Sequence, residues 1–447
     1  MSNRTTLVGG GYMRVISLLK SSFTSSSSSY SNHDKNRQEF VKANIITHFG
    51  NDDMYNQLLK KLEDAQDTLN QKMEPKEGHD KLSVPSDEDV ITALQQVAKI
   101  ELDLGMIQEA KNRQEDILTR QLKIHSRANG TVIPKHLSIA FTMHSIGSIY
   151  TRLEDPYEAE KWLNAAMNMK KELLLVNGCK YHYEIGKTLN GIALNEMMMH
   201  SLDDEYEIDA LQIISMLTEA ELNYTCHAEE NHDEADMSDH PDVASISENM
   251  ASVYRSFGDL DLALQKYQIA LGVLEQNQLP MSNQLPMSQL QSYEKMVNLY
   301  VDIGDCFNGL DKYDEARERY EDALDLHLKI VLESSAGDLT KTPLEAVLRH
   351  NIGNMHAKVG MFKEAMQDYE YALKLKRELG GESHPECALT LNAIGALLAN
   401  QGDWQGSLTH FNEAKFIYKM HADEDIEMQE MLAQIENNIS LLEKRGF

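Results

Sequence analysis

The sequence predicts an all-α fold, an α-solenoid of about seven stacked helix pairs with terminal capping helices. Three observations predict it. Small residues assigned to second helices fall at positions 110, 159, 210, 263, 316, 365 and 407, at intervals of 42 to 53 residues. A shared template of small residue, Gly or polar turn, Ala and aromatic surrounds them. Prolines at Pro134, Pro241, Pro343 and Pro385 precede or open first helices, where a missing N–H costs nothing. Dividing the length of 447 residues by a typical domain of about 150 suggests three domains, but a fixed phase replaces them with one elongated array.

Taken in chain order, residues 1–50 read as a Ser-rich disordered tail. The first 33 contain no Asp or Glu, with Arg4, Arg14, Lys20 and a serine tract from Ser25 to Ser29. An organellar transit segment is the alternative reading, although Gly9 to Gly11 interrupt any amphipathic helix there. Residues 51–75 form an N-terminal helix whose Leu58, Leu62, Ala65 and Leu69 share one face. That seam is about three heptads long, short for a free coiled coil, so it is expected to pack on the helices C-terminal to it. Pro75, Gly78 and Pro85 mark a linker over 76–88, and the array runs from 89 to 426.

The clearest copy of the template is Asn351 to Leu373, with Gly353, Gly360, Phe362, Ala365, Tyr369 and Ala372 in its slots. Gly304, Phe307, Tyr313, Ala316, Tyr320 and Ala323 repeat it. Ala251, Gly258, Ala263, Tyr267 and Ala270 do so again, as do Gly395, Gly402, Trp404, Phe411 and Ala414, where Ser407 replaces the second-helix Ala. Toward the N-terminus the copies weaken through Gly147, Ala159 and Ala166 to Ala98, Gly105 and Ala110, and the copy around Asn190 to Leu217 is degenerate. The spacing describes two close-packed antiparallel helices, in which Gly or Ala lets the backbones approach and an aromatic ring fills the hole. One pair cannot bury its own apolar face, so pairs stack and the ends need polar caps. Residues 427–447 supply the last cap, with Met428, Met431, Leu432, Ile435, Ile439 and Leu442 on one side.

Charge and motifs exclude several function classes. The net charge of −29 and a pI near 4.9 argue against nucleic acid and against anionic membrane surfaces as partners. No charge-free stretch reaches the ~20 residues of a membrane span. Cys179, Cys226, Cys306 and Cys387 are scattered without a CxxC pair, which fits free thiols in a reducing, cytoplasmic compartment. The acidic segment Cys226 to Asp242 matches neither zinc nor calcium spacing and reads as a solvated loop. There is no HExxH, no GxSxG and no phosphate-binding Gly-Lys loop. The tandem NQLPMS at 277–282 and 283–288 reads as an exposed, non-catalytic connection. No cofactor, metal or catalytic residue is therefore predicted.

Residues 240 to 276 and 384 to 418 resemble the tetratricopeptide repeats of kinesin light chains, through their His-Pro starts, the TLN of the later first helix and their Gly-aromatic turns. The resemblance covers roughly residues 89 to 426 and implies a right-handed superhelix whose first helices line a concave groove. Most of the intervals exceed the spacing of about 42 residues that the family implies. By similarity, the groove-facing slots hold His144, Asn190, Glu248, Asn249 and Arg255 in the first part of the array. Asp305, Asn308, His350, Asn351, Asn354, Lys358, Asn392 and Asn400 continue the set. Carboxamides both donate to and accept from an extended peptide backbone. The expected function is thus a non-catalytic scaffold or adaptor holding a basic or neutral peptide segment of a protein partner. A cargo-adaptor subunit bound to a motor chain is the alternative, and an enzyme with a dispersed active site the third.

Overall fold

Six of the seven described second helices carry a small residue three positions in from the start, and that register organises the fold. The computed structural model describes residues 52–73, 86–125, 134–176, 179–202, 209–230, 240–277, 287–334, 341–421 and 426–444. The tail, the linker centre, the acidic segment at 231–239 and the duplicated connection at 278–286 lie outside the described residues. Among the described residues, the regular elements are helices. α1 (Asp52–Met73) precedes seven pairs, beginning with α2 (Asp87–Asp103) and α3 (Ile107–His125), then α4 (Leu137–Arg152) and α5 (Pro156–Leu174). α6 (Tyr183–Leu202) pairs with α7 (Ala210–Glu230), and α8 (Pro241–Ser256) with α9 (Leu260–Gln276). α10 (Met287–Gly309) pairs with α11 (Tyr313–Ser334), α12 (Pro343–Lys358) with α13 (Phe362–Gly380), and α14 (Pro385–Gln401) with α15 (Trp404–His421). α16 (Ile426–Glu443) closes the stack.

Ala110, Ala159, Ala263, Ala316, Ala365 and Ser407 are each the fourth residue of a second helix, and all are fully buried. Ala210 is a correction: it opens α7 and is half-buried, and Ile213 fills the slot instead. From there the buried stripe Ile213, Leu217, Ala220 and Tyr224 keeps the 4-3-4 spacing of Ala263, Tyr267, Ala270 and Leu274. A longer connection before α7 shifts the count along the chain without shifting the helical face. The turns inside the pairs need a left-handed residue, supplied by Gly105, Gly258, Gly360 and Gly402, and by Glu154 and Asp311 at φ 60°.

The close approach inside a pair is measurable. A Cβ on Gly353 would stand 2.8 Å from Tyr369 Cδ1, and one on Gly304 2.8 Å from Tyr320 Cε1. The rings cannot retreat, because Tyr369 donates to Asn354 at 2.7 Å and Tyr320 to Asp305 at 2.6 Å. Gly353→Val is expected to lower stability by about 1–3 kcal/mol through overpacking, read as a lower urea midpoint. An unchanged midpoint would contradict this account of the small slot.

Pairs are joined by a device that the sequence template does not mention. The fourth position of the second-helix stripe is buried and mostly polar, and it reaches the start of the next first helix. Gln121 accepts from Thr142 at 2.9 Å, Lys170 donates to Glu184 at 2.7 Å, and Tyr224 to Asp242 at 2.6 Å. His327 meets Thr342 at 2.6 Å and Lys376 donates to Glu386 at 2.8 Å. Leu274 breaks the series between α9 and α10.

Both ends are covered. Leu58, Leu62 and Leu69 of α1 are buried in one cluster with Val90, Ile91 and Leu94 of α2. Met428, Ile435 and Ile439 of α16 pack with Phe411, Ile417 and Tyr418 of α15. No helix among the described residues is long and apolar enough to cross a membrane.

Candidate functional site

Successive first helices touch along one face of the stack, α4 with α6, α6 with α8, and α12 with α14. The predicted groove residues lie on these helices and on α10, and the structure divides them into two groups. The first group is engaged within the protein. Asn249 Nδ2 donates to Asn190 Oδ1 at 2.8 Å, joining α8 to α6. Arg255 on α8 reaches α10, with Nη1 2.6 Å from Asp302 Oδ1 and 3.8 Å from Asp305 Oδ2. Asp305 and Asn354 take the tyrosine hydroxyls described above. Lys358 lies over the Tyr313 ring at 5.5 Å.

Two members of the set are inside the protein rather than on a groove surface. His350 is buried, 3.3 Å from Thr390 Oγ1 of α14. His144 is buried against α6, where a Cβ on Gly191 would lie 3.4 Å from its ring. Burial pushes the His144 imidazole down to about 3, with Lys170 and Lys187 adding to the shift. A histidine flanking the small slot packs against the next first helix, which removes it from any groove occupant.

The second group is not tied up in the contacts described above. Asn308, Asn351 and Asn392 are half-buried and Asn400 is exposed. Asn392 Oδ1 has no hydrogen-bond partner among the described residues. All four sit on α10, α12 and α14. Glu248 on α8 is half-buried; burial raises its carboxyl above the ordinary range, opposed by Lys295.

One buried charge on this face, Asp302, lies outside the predicted set. Asp302 stands two residues before Gly304, as Asn249 stands before Ala251 and Asn351 before Gly353, so register alone could have found it. Burial pushes its carboxyl up to about 7 against the pull of Arg255, and Asp305 adds to the rise. Asn195 was missed as well. It is buried, accepting from Thr151 at 3.2 Å and donating to the Pro156 carbonyl at 2.9 Å. Nothing distinguished it from the surrounding degenerate sequence.

A tetratricopeptide-repeat family profile matches residues 344–419, spanning α12 to α15, and a second matches 142–173 in α4 and α5. The chain carries tetratricopeptide repeats. The remaining pairs share their register, although the profiles match only these two segments. No curated protein matches the chain. Among solved structures, the apo form of RapI is 16% identical, covering 80% of this chain and 87% of that one at a TM-score of 0.51. A signal-transduction ATPase with a tetratricopeptide repeat sensor, from Pyrococcus horikoshii, is 12% identical. It covers 96% of this chain and 54% of its own at a TM-score of 0.51. BtubC from P. vanneervenii is 18% identical over 53% of this chain and 84% of its own, at a TM-score of 0.40. At such identities the two matches with a TM-score of 0.51 show the solenoid fold alone. Tetratricopeptide arrays are protein-interaction scaffolds, and that class is where the repeats place this chain.

Proposed function

We propose that the chain is a non-catalytic scaffold that holds an extended segment of a protein partner along its first-helix face, with the grip on α10, α12 and α14. The observation that carries this reading is the division of the asparagines. Those on α6 and α8 bond to each other, whereas Asn308, Asn351 and Asn400 stay partly or fully exposed and Asn392 carries a buried Oδ1 with no hydrogen-bond partner. Carboxamides in this state suit a peptide backbone, which needs both donors and acceptors. The net charge of −29 favours a basic or neutral segment. The four thiols, none in a disulfide, support action in the cytoplasm.

A motor-adaptor role through α1 has less support, because the apolar seam of α1 is already covered by α2. Asn351→Ala combined with Asn392→Ala is expected to weaken partner capture about tenfold, the effect of losing one or two hydrogen bonds. The thermal midpoint should stay in place. Capture equal to that of the unaltered chain would remove the asparagine assignment.

A further inference from the structure

Four first helices open on a histidine. The Nδ1 of His136, His182, His240 and His384 accepts a backbone N–H at the start of α4, α6, α8 and α14. The donors are Ser138 at 3.2 Å, Glu184 at 3.1 Å, Asp242 at 3.1 Å and Glu386 at 3.3 Å. Ring nitrogens accept only while they carry no proton, so each cap depends on a neutral imidazole. In the last three, the capped residue also bears the carboxylate held by the preceding pair. Lys170 holds Glu184, Tyr224 holds Asp242 and Lys376 holds Glu386. Cap and inter-repeat clamp thus meet at one residue.

We infer that these four histidines make the stack acid-sensitive: protonation releases the first-helix caps and loosens the contacts between successive helix pairs. A protonated ring donates from both nitrogens, so the cap bond is lost and a cation stands at the positive end of the helix dipole. At His240 and His384 the clamped carboxylate is an anion beside the ring. His240 Nδ1 is already 3.7 Å from Asp242 Oδ2, and closing that distance draws Asp242 away from Tyr224.

The surroundings differ from site to site. His136 stacks on His125 of α3 at 3.8 Å, which sets two imidazoles against each other, and Glu88 of α2 acts on His125. His182 stacks on Tyr183 at 4.7 Å, its own backbone N–H donates to Asn223 of α7, and Glu184 and Lys170 lie beside it. His240 faces the Tyr224 ring of α7 at 5.3 Å and Asp242. His384 faces Lys376 of α13, Glu386 and His421 of α15. Burial lowers its pKa against the pull of Glu386, and Lys376 and His421 push the same way as burial. A depressed histidine contributes stability above its ordinary pKa of about 6.5, and that contribution is lost as pH falls through the folded value.

One first helix provides an internal control, because α2 is capped by Ser86, which does not titrate; α12 is set aside, since its capping Thr342 meets His327. Hydrogen exchange of the full chain at about pH 7.5 and about pH 5.5, corrected for intrinsic rates, tests the inference. The first turns of α4, α6, α8 and α14 should lose protection in acid while that of α2 keeps it. Uniform change across all first helices, or no change, overturns it. A quadruple variant, His136→Asn, His182→Asn, His240→Asn and His384→Asn, retains capping side chains at every pH. It should show at most half of the fall in melting temperature that the unaltered chain shows between these pH values, and an equal fall also overturns the inference. If the variant does not fold, the exchange comparison on the unaltered chain decides.

Discussion

Lys170→Ala is expected to lower the unfolding free energy by about 3–5 kcal/mol, the range for removing one partner of a buried ion pair. The Lys170 side chain is fully buried, and its ammonium donates to Glu184 Oε2 at 2.7 Å, the Glu184 carbonyl at 3.2 Å and Thr188 Oγ1 at 3.0 Å. Removing it strands a carboxylate at the junction between α5 and α6, takes one of two partners from Thr188 Oγ1, and deletes the packed methylene stem. Lys170→Met keeps the stem, so the gap between the two variants isolates the packing share. Lys376 makes the same contact one junction further along, with Glu386, whose side chain is 23% exposed against 15% for Glu184. Lys376→Ala should therefore cost less than Lys170→Ala. Denaturant unfolding followed by helicity gives both values, and the reverse order would contradict the clamp.

Arg255→Ala should be comparably damaging, about 3–5 kcal/mol, because it leaves Asp302 and Asp305 facing each other with the guanidinium between them removed. The pH dependence gives a sharper signature. Asp302 is raised to about 7, so the native state already binds a proton that the unfolded state releases. With the native state holding more protons, stability falls as pH rises through the interval between the ordinary aspartate value of about 3.9 and the folded value. Without Arg255 the folded value climbs further, so the loss should be larger at about pH 8 than at about pH 6. Asp302→Asn in the Arg255→Ala background should recover part of the stability and flatten that dependence. A loss independent of pH would mean that Arg255 acts through packing against Tyr267, whose ring lies 5.6 Å from the guanidinium carbon.

The fold was legible because its signal is local and repeated. Gly353 and Ala365 are small for the same reason as Gly304 and Ala316, and seven copies of one constraint average out single departures. The degenerate third pair shows the limit, since the buried face of α7 continued through Ile213 and Leu217 while residue counting pointed to Ala210. The binding face was legible only in part. Flanking the small slot placed the asparagines on the first helices, but the same rule collected His144 and His350, which are buried between repeats. Sequence position gives the helical face of a side chain and says nothing of whether the neighbouring pair already occupies it.

By itself, then, the sequence determined the helix pairing, the small-to-large contact inside each pair and the polar first-helix face, because each depends on residues within about forty positions of one another. Only the tertiary structure decided which polar groups are engaged between repeats. Lys170 with Glu184, Arg255 with Asp302 and Asn190 with Asn249 join helices of successive pairs, and their distances follow from how one pair sits on the next. The rotation between pairs is set by the whole buried interface rather than by any short motif. That rotation leaves Asn392 Oδ1 without a partner while it closes the Asn190–Asn249 bond.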